Sequence, residues 1–376
     1  MALREFLRSG KARWLVPVGV VTVLAAAVGV DSSVAGAAPA LAPRTPAELL
    51  ASVAHAAEQP LSGTVVETAQ LGFPALPGAG STSLSWQSLI TGSHTARVWY
   101  GSPGQVRVSL IGDLAESDMI RNGHDVWIWS SRDNTVSHTV LPAATAQPPE
   151  ITPPIDPRTA AAQALAALGP TTSVTVDGTS EVAGRPVYEL VLAPRSGSSL
   201  IGQVRLAIDS QTSVPLRVQV LAKGASDPAF ETGFTSVAFG RPAASVFSFS
   251  PPAAAKVTES TLPGQRSGSD AAAAGQQPSS ATGPRVTGTG WTAVVELSGA
   301  TALATGAPGS TSGGKESSAT AFAAMLRATT PVTGSYGTGQ LLQTPLLSAL
   351  LLPDGRVFVG AVTPDLLEQV ASASSK

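Results

Sequence analysis

Between His94 and Leu141 the chain alternates apolar and polar residues and breaks at short turn signals. That period of two is the pattern of strands with two unlike faces, and it excludes a helical bundle for this region. Ala96, Val98 and Tyr100 share one face of the first strand, with Thr95, Arg97 and Trp99 on the other. Val106, Val108 and Leu110 repeat the pattern after the Ser102-Pro103-Gly104 turn. A strand around Met119–Arg121 meets Asn122-Gly123, a strong hairpin signal, and Val126–Trp129 returns from it. Arg132-Asp133-Asn134 turns the chain again into Val136–Leu141, so the segment reads as an antiparallel meander.

The same reasoning extends outward. Thr45-Pro46-Ala47-Glu48 predicts a helix start, with Thr45 as N-cap, Pro46 in the first position and Glu48 completing a capping box. Its apolar face carries Leu49, Leu50, Val53, Ala54 and Ala57, and Pro60 ends it. Ser62–Thr68 reads as a strand. Asp156-Pro157 opens a second helix that Gly169-Pro170 stops. Strands are predicted at Val174–Asp177, Val187–Ala193, Gly202–Asp209, Pro215–Ala222 and Phe230–Phe239, ending with Phe247-Ser248-Phe249 before Pro251-Pro252. Residues 253–285 have the composition of a flexible linker or exposed loop. Beyond them come a strand at Gly290–Leu297, a short helix at Glu316–Arg327, a hairpin about Pro353-Asp354-Gly355 and a terminal helix at Pro364–Ala373 capped by Thr363. The organisation predicted is therefore 1–40 as targeting segment, 41–252 as the main domain, 253–285 as linker, and 286–376 as further strands completing the same sheet.

The N-terminus places this fold outside the cytoplasm. Arg4, Arg8, Lys11 and Arg13 precede residues 14–30, which carry no charge. A basic flank before an apolar run is the layout read by export machinery. Ala35/Ala37 and Ala38/Ala40 both fit an A-x-A cleavage pattern. Cleavage there and retention of 14–30 as a single membrane anchor both fit, and retention would leave the remainder on the outer face.

Composition removes several function classes. The absence of cysteine excludes disulfides, thiol catalysis, cysteine-ligated metals and a lipidated cysteine. Charged residues make up 13% and the net charge is −2 with no basic stripe, so nucleic acid is not an expected partner. There is no G-x-S-x-G elbow, no H-E-x-x-H and no P-loop. His55, His94, His124 and His138 read as ordinary helix, strand or turn residues, although His124 and His138 could face each other across a hairpin. No enzyme activity, cofactor or metal is expected. What the strands do offer is apolar content on both faces, including Trp99, Tyr100, Trp127 and Trp129. One face needs helices. The other needs more protein, a membrane or a hydrophobic ligand.

Three strings carry a family resemblance: Pro60-Leu61-Ser62-Gly63-Thr64-Val65-Val66-Glu67, then Arg97-Val98-Trp99-Tyr100, then Arg121-Asn122-Gly123-His124-Asp125-Val126-Trp127-Ile128-Trp129. With Val182–Leu190 and Phe247–Pro252 they resemble the LolA/LolB/RseB superfamily, most of all its actinobacterial LolA-like proteins. The resemblance implies a mainly β (α+β) fold, an open antiparallel β half-barrel with helices covering its concave face. It implies a cavity for lipoprotein acyl chains or other lipids, or, in the RseB branch, a contact with a membrane anti-sigma factor. An early-strand arginine holds the lid in LolA, and Arg97 and Arg107 are the residues here that could serve. The cavity lining expected is Val98, Tyr100, Val108, Leu110, Trp127 and Trp129, a set whose two faces a register error of one would exchange.

Overall fold

The computed structural model describes residues 41–56, 59–72, 89, 91–112, 114–141, 156–166, 169, 171–261, 285–297 and 328–374. The predicted targeting segment with its 14–30 run and the predicted Glu316–Arg327 helix lie outside them. Among the described residues no helix is long and apolar enough to cross a membrane.

The first described helix, α1 (Pro46–His55), starts as its sequence dictates. The Glu48 amide donates to Thr45 Oγ1 at 3.3 Å, and the Thr45 amide donates to the Glu48 carboxylate at 2.7 Å. Each bond satisfies an amide that the first helical turn leaves unpaired. Leu49 and Val53 are buried on its inner face.

Strands dominate the rest. β1 (Leu61–Gln70), β2 (Thr91–Ser102), β3 (Gln105–Ile111), β4 (Glu116–Asn122), β5 (Asp125–Ser130) and β6 (Thr135–Val140) form the expected meander. After α2 (Pro157–Ala166) come β7 (Thr172–Val182), β8 (Arg185–Pro194), β9 (Ile201–Asp209), β10 (Pro215–Ala222) and β11 (Pro228–Phe239). β11 pairs with β1 and joins the two runs. The result is one open 12-stranded sheet, in the order β12-β6-β5-β4-β3-β2-β1-β11-β10-β9-β8-β7. Gly123, at φ 65°, makes the β4–β5 turn in the left-handed region that glycine enters at little cost. Gly63 serves differently. A Cβ there would sit 2.3 Å from the Ser236 carbonyl oxygen and 2.8 Å from the Phe234 ring, so only glycine lets β1 and β11 close together.

Two expectations change. The sheet does not end before Pro251: β12 (Lys256–Thr261), within the stretch read as linker, pairs in parallel with β6. Nor do the last strands extend the large sheet. β13 (Arg285–Thr287), β14 (Val294–Leu297), β15 (Thr330–Gly334), β16 (Gly337–Gln343), β17 (Ser348–Leu351) and β18 (Val357–Gly360) form a separate six-stranded sheet in the order β13-β14-β18-β17-β16-β15. Local hairpins explain this, because β15 to β18 pair in sequence and β14 takes the remaining edge of β18. The predicted Gly290–Leu297 strand divides into a 3-10 turn (Gly290–Thr292) and β14. The closing helix α3 (Pro364–Ser374) packs Leu367 and Ala371 into the small sheet's core with Phe358 and Leu350.

The two sheets meet at a short run of backbone bonds, among other contacts. Ser199 and Val362 form an isolated bridge, flanked by Leu200 N–H to Ala361 O (3.0 Å) and Thr363 N–H to Ser198 O (2.8 Å).

Candidate functional site: an apolar pocket beneath α2

Register divides the large sheet's side chains between two faces. On one face lie Val98, Val108 and Met119 in one row, and Tyr100, Val106 and Arg121 in another. This face continues through Val65 and Glu67 of β1, Phe234 and Thr232 of β11, Val218 of β10, Leu206 of β9 and Leu190 of β8. It is also the face against which both large-sheet helices pack. Leu49 and Val53 of α1 and Ala161 of α2 share one apolar cluster with Leu190, Leu206, Ile208 and Val218.

The start of α2 is pinned to β2. The buried Asp156 carboxylate accepts from the Arg158 amide at 3.1 Å and from its guanidinium at 3.2 and 3.3 Å. That guanidinium lies over the Tyr100 ring, 3.9 Å from its centroid, within cation–π range.

Further along, α2 packs Ala160, Ala161, Ala164 and Leu165 toward the sheet. Ala160 and Ala164, one turn apart, face Ile201, Val204, Val218, Val220 and Phe230 across a gap that their methyl groups cannot fill. The third wall comes from the second sheet and its 3-10 turn: Gly290, Trp291, Ala293 and Ala361. The space between them, a half-open cleft, is about 330 Å³, at the lower end of the range for ligand pockets. Trp291 satisfies its indole N–H by donating to Thr172 Oγ1 at 2.7 Å, so the ring meets the other walls as hydrocarbon. The pocket thus offers apolar contact and little else.

Polar groups are buried on this face as well: Glu67, His94, Thr232 and Arg121. Glu67, in mid-β1, is 1% exposed, and neither carboxylate oxygen has a hydrogen-bond partner. Burial pushes its pKa up to about 8, so the group is a neutral acid at pH 7.

The predicted lining residues separate. Val98, Tyr100, Val108 and Leu110 lie together on the helix face, buried in a core of protein side chains. Trp127 and Trp129 lie on the opposite face, where both rings approach Phe249. None of the six lines the pocket. Arg97 and Arg107 are also on the far face. Arg107 pairs with Asp118 and donates at 3.3 Å to the carbonyl oxygen of Val246, in a 3-10 turn (Ala244–Phe247), so what it holds is that turn and not α1 or α2. The residue that pins α2 is Arg158, on the helix itself. His124 and His138 do not face each other: His138 stacks on Trp127 at 3.7 Å and bonds Asp125 and Glu259 at 2.8 and 2.6 Å.

The far face has its own hollow, about 670 Å³, walled by Arg97, Trp99, Ile111, Leu114, Glu116 and Trp129 among others. It is larger but mixed in polarity. Burial, and then repulsion from Asp118, raises the Glu116 pKa there. Among the described residues no group of three or more histidine or acidic side chains is placed to hold a metal ion.

Sequence reasoning missed the pocket because its walls come from six separated stretches. Locally, only the Ala160/Ala164 spacing and a tryptophan set among small residues at 291 hinted at it.

No protein-family model and no curated protein matches this chain. Several solved structures are similar to it. MucB of Pseudomonas aeruginosa, solved in complex with MucA, aligns at 18% identity over 87% of this chain and 96% of its own, with a TM-score of 0.42. LprF of Mycobacterium bovis aligns at 11% identity over 53% of this chain and 94% of its own (TM-score 0.30). A LolA-superfamily protein of Nitrosomonas europaea aligns at 9% identity over 55% and 99% (TM-score 0.21).

Proposed function

We propose that this protein is an exported, non-enzymatic LolA-like module that binds an acyl chain of a lipoprotein or other lipid. In this reading the large sheet acts as a half-barrel, with α1 and α2 as its cover and the space beneath α2 as the chain site. The observation that carries the proposal is the pocket itself: about 330 Å³, walled by alanine, aliphatic and aromatic side chains, with the indole N–H turned to a partner of its own. Burying ten methylenes would contribute about 8 kcal/mol, enough for binding without a catalytic or charged residue. The volume suits one chain rather than several.

The test is native purification of the full chain followed by lipid extraction and mass spectrometry. Acyl lipid in near-stoichiometric amount is the expected outcome. An Ala164→Trp variant, which fills the pocket from the helix side, should come out lipid-free while keeping its β-sheet circular dichroism. Lipid retained equally by that variant places the ligand elsewhere and defeats the reading. If wild-type protein carries no lipid but captures the extracytoplasmic tail of a membrane anti-sigma factor, the chain is a regulator of the RseB kind instead.

A further inference from the structure

An apolar pocket holds a chain but does not select a head group, and a buried carboxyl, that of Glu67, lies on the same face of the sheet. On β1 its neighbours along this face are Val65 and Ala69, and across the sheet His94 on β2 and Thr232 on β11. Thr232 is flanked by the pocket wall: its partner on β10 is Val218, and Phe230 lies two residues before it on β11. Glu67 is therefore on the same face and one strand beyond the wall, with the buried Thr232 between it and Val218. Both of its oxygens lack partners while 1% exposed, a condition native proteins avoid unless something else supplies the bonds.

The geometry points to Glu67 as the polar anchor of the acyl site, hydrogen-bonding an uncharged head in which an ester or amide carbonyl adjoins a hydroxyl or N–H. This rests on the acyl-binding reading above. The carboxyl protonated at neutral pH has one O–H donor and one carbonyl acceptor, and such a head offers the complementary pair. An anionic head would have to be buried without a counter-charge, which is far more costly than burying a neutral one. The group that faces Glu67 from β2 and can titrate is His94, whose Nε2 is 2.9 Å from the Thr91 carbonyl oxygen. Asp156 and Arg158 of α2 bond each other at the Tyr100 end of the sheet, three same-face rows away.

The test uses the full chain and three probes of equal chain length: a monoacylglycerol, the free fatty acid and the n-alkane. Binding is read by Trp fluorescence at pH 7.2 and 9.5. The monoacylglycerol should bind tightest at pH 7.2 and about ten-fold more weakly at pH 9.5, where Glu67 carries charge. Glu67→Gln, which keeps a donor and an acceptor, should retain the binding and lose the pH dependence. Glu67→Leu should bind the monoacylglycerol no better than the alkane. Equal binding of all three probes, unaffected by either variant, overturns the anchor while leaving the pocket reading intact. Tighter binding of the fatty acid overturns the choice of an uncharged head. If no probe binds, the acyl reading itself fails.

Discussion

A carboxyl group held neutral by burial also sets a pH dependence for folding. Glu67 has its pKa raised from 4.5 to about 8, so the folded state holds a proton that the unfolded chain releases. The sign follows from linkage: its contribution is most favourable below pH 4.5, is lost between 4.5 and 8, and is constant above. At pH 8 the burden is on the order of 3–4 kcal/mol relative to pH 4.5, and Glu67→Gln removes it. Urea denaturation at pH 5 and pH 8 should therefore show the variant gaining stability over wild type at pH 8 and little at pH 5. An equal effect at both values would mean that Glu67 is not buried in the acid form. Asp156 is as deeply buried but has the partners that Glu67 lacks. Its oxygens accept from the Arg158 amide and guanidinium, and the pair fixes the helix start.

At the level of elements, much of the fold was legible. The capping box at Thr45–Glu48 and the alternation from His94 to Leu141 are local signals, and local signals survive whatever packs against them. What was not legible was which rows meet. Val98 and Trp127 each alternate correctly within their own strands, yet β2–β3–β4–β5 pairing aligns Val98 with Ile128 and Trp99 with Trp127. A grouping that mixed even residues of β2 with odd residues of β5 thus spanned both faces. β12 was missed for another reason. Its six residues are polar apart from Val257, and what holds them lies elsewhere in the chain: the edge of β6, and His138 reaching Glu259. That contact gives a prediction. Burial lowers the His138 pKa, but hydrogen bonds to Asp125 and Glu259 outweigh it and the net shift is upward. Its stabilisation is full below pH 6.5 and is lost as pH rises through the higher folded value. Both carboxylates are largely exposed, so the effect should stay below about 1 kcal/mol. Hydrogen-exchange protection of β12 amides, corrected for intrinsic rates, should fall between pH 5.5 and pH 8, and His138→Gln should flatten that change. Unchanged protection in wild type would show that the backbone ladder alone retains the strand.

For the whole molecule the question is what makes two sheets act together. The backbone seam at Ser199–Val362 is short, and a side chain that adds to it is Trp291, buried in the large sheet's helix-side cluster and bonded to Thr172. The pocket is thereby shared: five of its walls are large-sheet residues, two belong to α2, and Gly290, Trp291, Ala293 and Ala361 come from the other side. A ligand there touches both sheets, and by linkage anything that binds only the assembled form stabilises the assembly. Wild-type protein should therefore unfold in one urea transition. Trp291→Ala, which deletes a buried aromatic worth roughly 3–5 kcal/mol, should split it in two, the small sheet leaving first. A monoacylglycerol that binds should raise the single wild-type midpoint and have little effect on the early transition of the variant. If Trp291→Ala still unfolds in one transition at an unchanged midpoint, the seam's backbone bonds couple the sheets, and the pocket wall contributed by Trp291 is incidental to that coupling.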